Sequence, residues 1–162
     1  MTKVIVRYGI IAGLIVGIPM VAYMWWLPAD APGPMAMNMV TVYLVMLVAL
    51  SMVFVGIKHC RDRVLGGGIK FLTALLVGLG ITLVASVLYT LAWELSMQVS
   101  AFDFAAWYAK MYSDPVEAQE FLRTYSNPLY RMAYTFIEIF PVGVLVTLVS
   151  AAILRRRAPA PG

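Results

Sequence analysis

The segment RMAYTFIEIFPVGVLVTLVSAAILRRR, Arg131–Arg157, decides the fold class. Met132 to Leu154 is an apolar run long enough, at about 1.5 Å per residue, to cross a hydrocarbon core ~30 Å thick. Three arginines close it, as expected where a membrane helix emerges on the positively charged side. Two residues interrupt the pattern, because Glu138 and Pro141 lie within the apolar run.

Working outward, three more stretches are long and apolar enough to cross a bilayer: 4–27, 36–57 and 69–97. With 132–154 they predict an all-α membrane protein of four transmembrane helices in one domain, 1–162, with an outer loop at 98–131. Of its 162 residues, 62% are hydrophobic and 12% charged. A soluble domain of this size could not bury so much apolar surface. The first span begins like a signal peptide, with Lys3 and Arg7 before it and Ala29-Asp30-Ala31 after it. Pro32 disfavours cleavage there and the apolar run is long for a signal, so a retained helix is expected.

The net charge of +4 is explained by orientation, and no nucleic-acid partner is expected. Lys3, Arg7, Lys58, Arg61, Arg63, Lys70, Arg155, Arg156 and Arg157 fall on one side of the threading. Lys110, Arg123 and Arg131 fall on the other, among Asp103, Asp114, Glu117 and Glu120. Basic residues are retained in the cytoplasm, which predicts that both termini are cytoplasmic and the third loop lies outside. That loop is expected to hold short amphipathic helices. Phe104, Trp107, Tyr108 and Met111 share one face, to be laid on the headgroups. A second helix is expected to start with Asp114 as N-cap, Pro115 in its first turn and Glu117 in a box-like position.

Small residues recur at four-residue intervals in two spans: Gly9, Gly13 and Gly17 before Pro19, and Ala74, Gly78, Thr82 and Ser86. Lipid supplies no hydrophobic drive for helix association, so such rows mark close backbone packing, within one chain or in a homodimer. Pro19 and Pro141 are expected kinks. Gly66-Gly67-Gly68 lacks the remainder of a phosphate-binding loop and is expected to be a flexible lead into the third helix. His59 and Cys60 are adjacent, do not naturally face each other and lack a third catalytic group. Cys60 is the only cysteine, and neither a metal site nor a cofactor is expected.

Helical rise places Glu94 at the outer edge of the third span and Glu138 about 6 Å inside the hydrocarbon. Asn127, Arg131, Tyr134 and Glu138 follow a four, three, four spacing and fall on one helix face. Arg131 comes level with Glu94, so an interhelical pair is geometrically reasonable. Glu138, two turns deeper, is expected to be neutral and to donate to the Ile137 carbonyl freed by Pro141. The outer halves of the spans also carry Tyr23, Asn38, Thr41, Tyr43, Tyr89, Thr90 and Thr135. Two readings of Glu94, Arg131, Tyr134 and Glu138 stand: an outward-facing ligand pocket, or a polar clasp joining the third and fourth helices.

Arg61-Asp62, Gly66-Gly67, Phe71, Ala74, Gly78, the run Ala85-Ser86-Val87-Leu88-Tyr89 and Trp93-Glu94 together resemble the bacterial domain-of-unknown-function 4199 family. TFIEIFPVG, Thr135–Gly143, resembles its C-terminal signature. The resemblance spans nearly the whole chain and implies a four-helix integral membrane protein of the bacterial inner membrane, with no established activity. His59-Cys60 stands where a basic or aromatic residue is expected in that family.

The leading functional expectation is a non-enzymatic membrane protein that binds or passes a small solute, or supports a membrane-protein partner, through the outer polar cluster. Its proton-coupled form would need a homodimer to provide a pathway. The alternative is a membrane-embedded enzyme acting on a lipid or cell-envelope intermediate, with Glu94 or Glu138 as general acid or base.

Overall fold

The computed structural model describes residues 1–31, 33 and 39–156, the side chains of 39–42 excepted. The expected second-span start at Ala36, together with Pro32, Asn38, Arg157 and the Thr41 side chain, lies outside what is described. Six α-helices follow in order: α1 (Thr2–Trp26), α2 (Met39–His59), α3 (Phe71–Val99), α4 (Phe104–Ala109), α5 (Pro115–Tyr125) and α6 (Pro128–Leu154). A π-helical turn, Cys60–Val64, prolongs α2. Four helical stretches are long and apolar enough to cross a membrane, which makes this a multi-pass membrane protein: Thr2–Trp26, Tyr43–Val64, Phe71–Val99 and Pro128–Leu154.

The most extensive packing is between α1 and α3, followed by α3 and α6. The glycine row of α1 explains the first contact. A Cβ added at Gly9 would come within 2.5 Å of Val84 Cβ, one at Gly13 within 2.5 Å of Leu88 Cβ, and one at Gly17 within 3.0 Å of Ala92 Cβ. The two helices run parallel and close, and this row is consumed inside one chain. The row on α3 faces α6: a Cβ at Gly78 would sit 2.5 Å from Thr147 Cγ2, and one at Gly143 would collide with the Thr82 side chain. Thr82 Oγ1 lies 3.0 Å from Thr147 Oγ1 and donates to the Gly143 carbonyl at 3.3 Å. Such bonds bind helices where lipid cannot. Ser86 Oγ is buried beside this seam without a partner among the described residues. Both α1 and α6 continue past Pro19 and Pro141.

The end of the bundle that carries most of the basic residues is tightly closed. Arg61 pairs with Asp62 at 2.6 Å, within the π-helical turn rather than in a loop. Gly66 and Gly67 adopt left-handed backbone, φ 66° and 95°, and the Gly67 N–H bonds the Arg61 carbonyl at 2.8 Å. The expected flexible lead is therefore an ordered, helix-ending turn that needs glycine. Ile69 and Arg156 then exchange two backbone hydrogen bonds, 2.9 and 3.0 Å, tying this turn to the end of α6. Cys60 is wholly buried in the core and His59 packs its ring on Tyr8, so both serve packing.

The opposite end is capped by α4 and α5. Asp103 accepts from the Ala106 N–H and caps α4, and Asp114 accepts from the Val116 N–H ahead of Pro115. Asn127 caps α6 by accepting from the Leu129 N–H, which starts that helix a turn before the expected Met132. The rings of α4 contact other rings of the chain. Phe104 meets Trp93 edge-on at 4.9 Å and stacks with Tyr108, while Tyr108 meets Phe121, and Phe121 stacks on Tyr125 at 4.9 Å. The cap is thus a ring cluster holding two short helices onto the end of α3.

Candidate functional site

Below the ring cluster, α3 and α6 present opposite charges. Arg131 Nε and Nη2 each donate to one oxygen of Glu94 at 2.7 Å, a two-pronged ion pair. Both side chains are largely buried, 14% and 11% exposed. The planar guanidinium matches a carboxylate geometrically, so the pair fixes orientation as well as charge. Arg131 Nη1 donates to the Tyr125 carbonyl at 3.0 Å, and its guanidinium carbon sits 5.6 Å from the Tyr125 ring centre.

Tyr125 completes the arrangement from α5. Its hydroxyl accepts from Trp93 Nε1 at 2.9 Å. Burial pushes that hydroxyl up to about 12, against the opposing pulls of the Trp93 hydrogen bond and of Arg131. The sequence reading missed this residue. The signal was available only as an aromatic at the end of the predicted second loop helix, with nothing to show that it would turn back onto α3.

Beside the ion pair a cavity of about 410 Å³ opens at the capped end. Met97 and Ser100 from the end of α3, Asp103 and Phe104 at the start of α4, and Leu122 and Tyr125 of α5 line it, with Arg131 in its wall. The lining combines aromatic and aliphatic side chains with hydroxyl, carboxylate and guanidinium groups.

Of the four expected ligand-binding residues, the structure brings together Glu94 and Arg131 alone. Tyr134 is 57% exposed and stacks on Tyr130, and Glu138 is exposed at the margin of the buried stripe of α6. Among the described residues Glu138 makes no hydrogen bond or ion pair, so the expected bond to the Ile137 carbonyl is not formed. Also among the described residues, no group of three or more His, Cys, Asp or Glu gathers to hold a metal ion.

The ion pair, the Arg61-Asp62 turn and the small-residue seams all fall within residues 7–156, which match the model of a family described as "Protein of unknown function (DUF4199)". The chain belongs to the DUF4199 family. Neither a curated protein nor a solved structure matches it. For this DUF4199 protein the functional argument therefore rests on the site itself.

Proposed function

We propose that this protein is a non-enzymatic receptor for a small amphiphilic solute, seated in a bacterial inner membrane with both termini cytoplasmic and the capped end outside. The carrying observation is the cavity of about 410 Å³ whose lining mixes apolar residues such as Met97, Phe104 and Leu122 with Arg131, Asp103 and Ser100. Its size falls within the range of small-molecule sites, and mixed walls of this kind orient a ligand that has both an apolar body and a polar head. The Glu94 pair neutralises Arg131 and holds it in place, so the wall is rigid and presents no isolated cation. The basic end of the bundle is filled by Val4, Ile57, Ile69 and Leu154, which favours binding over passage.

The test is purification in native lipid, with mass spectrometry of the small molecules retained. The wild type retains a solute that Ala105→Trp, which fills the cavity from α4, releases without loss of thermal stability. Identical inventories for the two proteins sink the proposal.

A further inference from the structure

Glu138 is the residue that the cap site leaves unexplained. It lies about 15 Å along α6 from Pro128 and about 24 Å from Leu154, which keeps it about 6 Å inside a ~30 Å hydrocarbon core. It is exposed there, with no bond to its own chain among the described residues. Tyr89 of α3 and Tyr134 are near enough to feel its charge but do not bond it, and a carboxyl left without a hydrogen bond at this depth is costly even when it takes up a proton. Its surroundings are not random. Tyr134, Glu138, Pro141, Leu145, Leu148 and Ala152 are all exposed and follow a four, three, four, three, four spacing, the seam of a left-handed helix pair.

We infer that this face of α6 docks the same face of a second copy, with Glu138 meeting Glu138 of the partner across a two-fold axis along the membrane normal. Copies insert with one orientation, so such an axis brings each residue of the seam to its own counterpart at equal depth. That demands a side chain complementary to itself. A neutral carboxyl qualifies, because its O–H donates while its carbonyl oxygen accepts, and two of them satisfy each other. The glycine rows cannot supply the contact, since Gly9 and Gly13 already press on Val84 and Leu88, and Gly78 on Thr147, within one chain. The inference is independent of the solute site, which lies at the cap.

The experiment uses the full chain with Cys60→Ala, carrying a single cysteine at Leu145 or Leu148, or at the control positions Leu44 and Leu76 on exposed faces of α2 and α3. Oxidation in dilute liposomes joins copies through positions 145 and 148 and leaves 44 and 76 uncrosslinked. Glu138→Gln keeps the dimer, because an amide also donates and accepts. Glu138→Leu weakens it by about 3- to 30-fold, the range for one interhelical hydrogen-bond contact in a membrane. The inference is overturned by a wild type that stays monomeric at every protein density, by crosslinks through the control faces, or by unchanged association of Glu138→Leu. Crosslinking of position 145 in native membranes to a different protein, with the purified chain monomeric, also overturns it and assigns the face to that protein.

Discussion

Glu94 meets Arg131 in the same antiparallel register that sets Thr82 against Gly143 and Gly78 against Thr147. The small-residue seam and the ion pair are therefore one device. Close approach in the middle of the membrane fixes the sliding position of α6 on α3, and that position delivers a guanidinium to a carboxylate near the cap.

Gly143→Ala tests this coupling. Its new methyl would occupy the space of the Thr82 side chain, at a cost of about 1 to 3 kcal/mol from overpacking. Adding Thr82→Ala removes the obstructing methyl, so the double variant unfolds at a higher temperature than Gly143→Ala alone. Strictly additive losses would show that the two side chains do not compete for this space.

On the other side of α3, Gly13→Leu forces α1 away from Leu88, which the missing Cβ now lets approach. Thermal unfolding in detergent shifts downward for Gly13→Leu and stays within error for Leu14→Ile, whose side chain is 47% exposed. Equal tolerance of both substitutions contradicts the parallel α1–α3 packing.

Apolar length made the four membrane helices legible, and four-residue spacing made their contact rows legible, because both follow from helix geometry alone. The cap was half legible. Asp114 announced its helix, but the destination of the α4 rings depends on where α5 folds back, a long-range contact with no local signal. Glu138 shows the limit most clearly. Arg131 and Glu138 were placed on one face by spacing, yet both lie at the margin of the buried stripe that runs through Thr135, Ile139 and Gly143. The long Arg131 stem carries its charge round to Glu94, whereas Glu138 comes near Tyr89 and Tyr134 without bonding either. Spacing groups residues on an axis but does not say which of them has a facing helix.

Threading is tested by labelling. In a Cys60→Ala background, an impermeant thiol reagent applied to intact cells reaches a cysteine at Glu117 in α5 and fails to reach one at Arg63. The asymmetry of basic residues requires this outcome. The reverse pattern inverts the proposed orientation and places the cavity in the cytoplasm.

Tyr125 predicts sensitivity to base. Its hydroxyl is held at about 12, above the ordinary tyrosine value near 10, so the folded state keeps a proton that the unfolded chain loses. The associated stability is complete below pH ~10 and is lost as pH climbs towards about 12. Over that window the wild type loses up to about 2 to 3 kcal/mol that Tyr125→Phe does not. Tyr125→Phe is less stable at neutral pH, because Trp93 Nε1 loses its acceptor. Parallel pH profiles for the two proteins would falsify the assignment.

The ion pair itself separates two costs. Arg131→Ala leaves the Glu94 carboxylate buried and unpaired, and deprives the Tyr125 carbonyl of its donor. Breaking such a pair costs about 3 to 5 kcal/mol. Replacing both partners with apolar residues of similar volume, Glu94→Leu with Arg131→Met, removes the unpaired charge and costs less than either single change. Exchanging the charges, Glu94→Arg with Arg131→Glu, recovers only part of the loss. A carboxylate at position 131 cannot donate to Tyr125, and it faces that carbonyl acceptor to acceptor. The order of unfolding temperatures is therefore wild type, double apolar variant, then Arg131→Ala, with the exchanged pair above Arg131→Ala and below wild type. An exchanged pair fully as stable as the wild type would show that the bond from Arg131 to Tyr125 contributes nothing, and that α5 is held to the bundle by the ring cluster alone.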